Sequence, residues 1–313
     1  MLRLDQVPLW FVRLFAVTFG LVWGSFLNVV VYRVPREMSV VHPGSRCPAC
    51  GKDIAPWDNV PVLSWVVLRG RARCCGARVS ARYPAVELLG GALSLAIVEV
   101  VVRALPGDTD VGHAALVYLF DFALCLGLVA AAFIDLEHMY LPDAVTIGGA
   151  VLGLATAPFR GLPFREAAVG AVAGYLGVWV PFILLYRLVR GRPGMGLGDA
   201  KLLALAGAWF GWLGAAFVLF AGAIQGTLGS LAIYFARGRI DEPDAVKADR
   251  AELRAAAAAG DEEARELLED DPLLATEPAE GLGQSRVPFG PFLILAIFEW
   301  LFAGDVIMGW IAP

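Results

Sequence analysis

The chain is a succession of apolar runs, each long enough or nearly long enough to cross a lipid bilayer. A hydrocarbon core about 30 Å thick takes roughly 20 residues of helix at 1.5 Å per residue. Runs approaching that length lie at 9–32, 84–103, 113–134, 143–158, 166–186, 200–211, 213–236 and 288–311. The fourth and sixth are short and glycine-rich, which suits tilted, re-entrant or bundle-buried helices. With 58% hydrophobic and only 18% charged residues among 313, and a mean hydropathy of +0.66, the chain falls outside the soluble globular range. The sequence predicts an all-α polytopic membrane protein with about eight transmembrane helices. Its expected parts are a first transmembrane helix within 1–32, a small cysteine-containing cytoplasmic domain at 33–83, a transmembrane bundle at 84–236, an acidic cytoplasmic loop at 237–287 and a further transmembrane helix within 288–313. The first run has no small-residue cleavage site after it, so it is expected to be a retained anchor.

Loop charge orients the expected bundle, because lysine and arginine accumulate on the cytoplasmic side. The 33–83 segment carries Arg33, Arg36, Arg46, Lys52, Arg69, Arg71, Arg73, Arg78 and Arg82 against Glu37, Asp53 and Asp58. It is therefore expected to be cytoplasmic, as are the loops at 135–142, 187–199 and 237–287. The net charge of −5 gathers largely in 241–280, whose alanine-rich middle suits a solvated helix and whose ends read as flexible. No basic patch with interleaved aromatics suggests a nucleic-acid partner.

Four of the five cysteines sit in the basic loop, as "CPAC" at 47–50 and "CC" at 74–75. A CxxC turn followed by a second pair about two dozen residues later suits a tetrahedral structural zinc site of Cys47, Cys50, Cys74 and Cys75. Adjacent cysteines point in different directions, so a partly degenerate site held by packing, or redox chemistry, stays open. Cys125, inside an apolar run, reads as a small core hydrophobe.

Acids in or beside membrane spans are costly, at roughly 2.5–3.5 kcal/mol on insertion scales, so each is a functional candidate. Asp135 ends the third run in "LVAAAFIDLEHMYLPDAV", and Asp199 opens the sixth in "GMGLGDAKLL". One helix enters the cytoplasmic boundary and the other leaves it, so the two carboxylates can meet. Asp121 lies 14 residues before Asp135, about 21 Å along a helix, and is expected to stay apart; Asp121, Glu99, Glu299 and Asp305 read as interfacial or interhelical. Two carboxylates that share one proton suit an aspartic protease, in which one takes a proton from the attacking water and the other protonates the oxyanion and then the leaving amine. Gly194, Gly196 and Gly198 either admit an extended substrate close to the backbone or only break the helix. A transporter with acids along a polar path, and a noncatalytic assembly scaffold, are the competing readings.

Several stretches together resemble the bacterial type IV prepilin peptidases, membrane enzymes of the GxGD aspartic protease class. They are "GSFLNVVVYRVP" at 24–35, "CPAC" at 47–50, "DNVPVLSWVVLRGR" at 58–71, "SARYPAVELLGG" at 80–91, "FIDLEHMYLPD" at 133–143 and "GMGLGDAKLL" at 194–203. The resemblance implies a catalytic dyad of Asp135 and Asp199 on the cytoplasmic face of the bacterial inner membrane, within reach of membrane lipid. It implies cleavage of the basic leader of prepilins and pseudopilins after a glycine, then N-methylation of the new terminus from S-adenosylmethionine. Lys201 is a candidate for substrate binding or tuning of the dyad, reaching a lipid phosphate or nearby carbonyls; Asp143 is a candidate helix cap or dyad support. Glu87, Ser25 and Asn28 need polar partners, by interhelical bonding or methyl-donor binding; the donor pocket and the oligomeric state are left open. The sequence departs from the family at Ala72, where tetracysteine members carry their third cysteine: Cys75 takes the fourth place and Cys74 is extra. The 241–280 stretch is also longer than the resemblance implies.

Overall fold

The computed structural model describes residues 2–191, 193–238, 241–270 and 287–311, so Met1, Arg192, residues 239–240 and 271–286 of the acidic loop and the two C-terminal residues lie outside the described residues. The elements are α1 (Leu9–Arg33), α2 (Leu63–Val67), α3 (Arg82–Val100), α4 (Val111–His138), α5 (Asp143–Thr156), α6 (Phe164–Val178), α7 (Tyr186–Arg190), α8 (Leu197–Arg237), α9 (Asp244–Ala259), α10 (Glu262–Asp270) and α11 (Gly290–Ile311). Among the described residues the only extended pairing is three isolated bridges. A π-helical segment, Trp179–Leu185, joins α6 to α7. Pro181 within it has no backbone N–H to continue the α pattern.

The chain divides into two compact units, one formed by 1–130, 151–168 and 298–313 and the other by 131–150 and 169–297. In the first, α1 and α3 run antiparallel in backbone contact. A Cβ on Gly20 would lie 2.6 Å from Ser94 Cβ, and one on Gly24 would lie 2.8 Å from Glu87 Cα. Lipid surrounds such helices with chains as apolar as their own side chains, so close backbone packing replaces the hydrophobic drive. Polar groups buried at this contact are satisfied: Ser94 Oγ reaches the Ala16 carbonyl and the Tyr118 hydroxyl, 2.7 Å away.

Among the described residues six helical spans are long and apolar enough to cross a membrane, fewer than the eight apolar runs. The difference lies in α5, only 14 residues long, and in α8, whose 41 residues absorb two of the expected runs. Contacts within the second unit restore the separate passes. Trp209 Nε1 donates to the Gly149 carbonyl and Lys201 pairs with Asp143, so α5 runs parallel to the first part of α8. Gly170 and Gly174 of α6 pack against Gly207 and Leu203, so α6 returns antiparallel to the first part of α8. The later part of α8 then meets the start of α11, with Gly226 against Phe289 and Gly222 against Leu293. A straight helix from Gly198 to Gly226 would be about 42 Å long, yet Gly198 touches Leu141 and Leu141 touches Gly290, the neighbour of Phe289. The chain must therefore double back within α8. It does so at Gly211, with φ 72° and ψ −175°, a conformation that only glycine adopts without strain.

Gly211→Ala is expected to cost about 1–3 kcal/mol and to lower the thermal midpoint of the detergent-solubilised protein in a size-exclusion melt. An unshifted midpoint would mean that the turn tolerates a side chain.

Part of the acidic loop is folded. Gly260, at φ 104°, ends α9, and Asp261 Oδ1 accepts the N–H groups of Glu263 and Ala264 to start α10. Arg250 and Glu242 form a buried ion pair at 2.8 Å, so the segment is more than a solvated helix.

Candidate active site and cysteine cluster

Asp135 and Asp199 lie in the same unit and are almost fully enclosed, at 6% and 8% exposure. Asp135 sits in the last turn of α4 and Asp199 in the first turn of α8. Leu141 links their surroundings by touching both Gly198 and Gly290. Each acid is anchored by one backbone amide. Gly196 N–H donates to Asp199 Oδ2 at 3.2 Å, the reach of an acid in the first turn back to its own helix start. Gly290 N–H donates to Asp135 Oδ2 at 3.0 Å.

The other expected site residues divide by what they touch. Gly196 is the N-cap of α8 and so belongs to the anchor of Asp199. Gly198 is packed on Leu141, and Gly194 closes against Phe182 and Tyr186, its N–H bonded to the Phe182 carbonyl at 2.7 Å. Lys201 Nζ donates to Asp143 Oδ1 at 2.6 Å, tying the start of α5 to the start of α8. Asp121, on α4 with Asp135, is buried in the other unit.

Gly290 went unnoticed in the sequence. It lies in "VPFGPF", 155 positions after Asp135, and no local pattern links the two. A Cβ there would stand 2.6 Å from Asp135 Oδ2 and 2.9 Å from Leu141 Cδ2. Gly290→Ala is expected to leave the protein folded and to slow any reaction that uses Asp135 by about 10- to 100-fold, the cost of displacing a reacting group by up to an ångström. Unchanged turnover would remove Gly290 from the site.

Glu87 and Asn28 find backbone partners in the first unit. Glu87 Oε2 accepts the Val62 N–H at 2.7 Å and Asn28 Nδ2 donates to the Tyr83 carbonyl at 3.2 Å. Val62 has φ 60°, an unfavourable conformation for a β-branched residue, and the buried carboxylate holds it there.

The cysteine loop contains two matching turns. In one, Cys47 N–H bonds to the Lys52 carbonyl and Gly51 N–H to the Cys47 carbonyl, both at 2.8 Å; in the other, Ala72 pairs with Ala77 and Gly76 with Ala72, again both at 2.8 Å. Bridges Arg46–Asp53 and Arg71–Arg78 close them, and Gly51 and Gly76 take the same left-handed conformation. By position Ala72 corresponds to Cys47 and Cys75 to Cys50, so the second turn lacks its first thiol. Cys74 supplies a sulfur from the next-to-last position instead. The four Sγ atoms lie within 4.8 Å of one another, with Cys47–Cys75 at 3.7 Å, Cys50–Cys74 at 3.4 Å and Cys74–Cys75 at 3.9 Å. A tetrahedral ion with metal–sulfur bonds near 2.3 Å needs sulfurs about 3.8 Å apart, so the cluster fits a metal ion. Backbone amides of Ala49 and Cys50 hold the Cys47 thiol down to about 6, while its hydrogen bond with Cys50 pushes Cys74 up to about 12. Cys125 is free and fully buried.

Helical passes through a membrane, two enclosed aspartates from separate helices and a four-cysteine clasp define a polytopic diaspartyl membrane protein. The chain belongs to the type IV leader peptidase family. That family's model matches residues 122–231, and a model described as the bacterial peptidase A24 N-terminal domain matches residues 18–101. A prepilin leader peptidase/N-methyltransferase of Burkholderia pseudomallei (strain 1026b) is 38% identical over 258 residues, covering 73% of this chain and 79% of that protein. Proteins of the same name from Myxococcus xanthus (strain DK1622) and Dickeya chrysanthemi are 38% and 41% identical, covering 75% and 62% of this chain and 68% and 72% of their own lengths. No solved structure matches the chain at a significant level.

Proposed function

We propose that the chain is a bifunctional prepilin leader peptidase and N-methyltransferase of the bacterial inner membrane, with its aspartates facing the cytoplasm. The observation that carries the peptidase reading is the pair Asp135 and Asp199, enclosed together with each acid held by one backbone amide. In this reading one carboxylate removes a proton from water as its oxygen attacks the peptide carbonyl carbon. The other gives a proton to the carbonyl oxygen and then to the departing nitrogen as the C–N bond breaks. The products are a basic leader ending in a carboxylate and a mature pilin or pseudopilin with a new α-amine. S-adenosylmethionine, the methyl donor for that amine, is a substrate of the second step, in keeping with the relatives' names.

Asp143 and Lys201, as an ion pair, fix the starts of α5 and α8 beside the dyad and so act as positioning residues. The arginine-rich loop at 33–83 supports the cytoplasmic orientation through the bias of positive charge, and it is where a basic leader's peptidase domain would meet the cell interior. Zinc is the metal that a closed four-thiolate set selects in a structural site. Cys47, Cys50, Cys74 and Cys75 would hold it, and its contribution would be to tie the two turns of the loop together.

Mass spectrometry of a prepilin incubated with the purified protein, with and without S-adenosylmethionine, tests both activities. The expected result is loss of the leader in either case and a further 14 Da, one methylene equivalent, only with the donor. An uncut substrate would overturn the peptidase reading, and a cut but unmethylated one the transferase reading.

A further inference from the structure

Arg13 stands in the second turn of α1, inside an otherwise apolar span, a costly placement that calls for a partner and a purpose. Its Nε and Nη2 donate to the two oxygens of Glu99 on α3, at 2.5 and 3.1 Å. Arg103, one turn beyond, donates Nη1 to Glu99 Oε2 at 2.6 Å. Two guanidinium groups thus share one carboxylate, and the cluster carries a net positive charge. Neither arginine is spent. The side chains of Arg13 and Arg103 are 46% and 51% exposed, and Arg103 has no second protein partner among the described residues.

Below the cluster, Arg13, Glu99, Leu14, Val17 and Leu95 line a groove of about 490 Å³ between α1 and α3. Leu14 is largely exposed, and Val17 and Leu95 are half-buried. The groove therefore has a cationic end near the helix termini and an apolar floor running into the span. It lies at the end of the α1–α3 pair remote from the cysteine loop, because Gly24 meets Glu87 at the other end.

We propose that this groove binds an anionic phospholipid, its phosphate on the free N–H groups of Arg103 and Arg13 and the upper part of an acyl chain against Leu14, Val17 and Leu95. Charge complementarity selects the occupant: a cluster with one positive charge in excess matches a phosphodiester with one negative charge, and arginine suits it by offering two parallel donors. An ion pair serving only to join α1 to α3 would need Arg13 and Glu99 but not Arg103. The site is separate from the aspartates, so it stands independently of the peptidase reading.

Native mass spectrometry of the detergent-purified full chain tests it, with phosphatidylglycerol and phosphatidylethanolamine titrated separately. Retention of phosphatidylglycerol in preference to phosphatidylethanolamine is expected. Arg103→Gln is expected to weaken phosphatidylglycerol binding about fivefold, the share of one arginine at a lipid surface, and Leu95→Trp to block it by filling the groove. Both variants should keep the parent's thermal midpoint in a detergent melt, which shows that they fold. Unchanged phosphatidylglycerol binding in either variant, or equal retention of the two lipids, overturns the site. Displacement of the lipid by inorganic phosphate alone would also overturn it, since the acyl contact would then contribute nothing.

Discussion

Asp135→Asn and Asp199→Asn are each expected to lower leader cleavage by about 100- to 10,000-fold, the usual share of a positioned acid or base, with no loss of folded protein. Asparagine keeps the size of aspartate and retains a carbonyl oxygen, so the amides of Gly290 and Gly196 keep an acceptor. What it cannot do is exchange a proton with water or with a leaving amine. Replacement also removes an acid from an enclosed position where its charge is costly, so the variants should be at least as stable as the parent. The measurement is cleavage of a prepilin in detergent, followed by mass spectrometry, beside a thermal melt of each variant. Full processing by either one would sink the dyad. A variant that fails to cleave but also melts early would point to structure instead, and the double variant would then decide: an activity no lower than that of either single variant is expected of two groups that act as a unit.

Cys74→Ser is expected to reduce zinc affinity by about 100-fold or more, taking one ligand's share of the roughly 10–16 kcal/mol that a four-ligand site contributes. The sharper arm restores the missing position. Ala72 occupies the place of Cys47 in the second turn, with the same pair of backbone hydrogen bonds, so Ala72→Cys added to Cys74→Ser should recover the metal. Metal analysis of the purified proteins reads both results. Full zinc in Cys74→Ser, or no recovery with Ala72→Cys, would remove Cys74 from the ligand set. The pH dependence follows from the thiols. Cys47, held near 6, is already a thiolate at neutral pH, whereas Cys74, near 12, must lose its proton to bind. Between pH 6 and 8 affinity should therefore rise with pH, about tenfold per unit for each proton displaced, and below pH 6 the slope should steepen as Cys47 takes up its own proton.

The apolar runs foretold the passes because a bilayer imposes a length on every helix that crosses it. Counting by helix length alone misses α5 and divides α8 wrongly, since α5 is short and the break at Gly211 leaves helical residues on both sides. The glycine itself was legible, but the turn was not, because nothing in "WFGWLG" distinguishes a reversal from a close helix contact. Asp135 and Asp199 stood out as charges where charge is costly. Their amide partners differ in this respect: Gly196 lies three residues from Asp199 and could be read as a helix start, while Gly290 meets Asp135 only through the packing of α11. The pairing of Lys201 with Asp143 was hidden for the same reason, 58 positions apart. For Cys74 the local rule that adjacent cysteines diverge was outweighed by the second turn, whose backbone brings both sulfurs toward the first.

Because the amide that steadies Asp135 comes from a segment synthesised so much later, the nascent chain emerging from the ribosome carries both acids well before it can anchor the first of them. The enclosure of Asp135 is therefore completed only when the segment around Gly290 has been inserted.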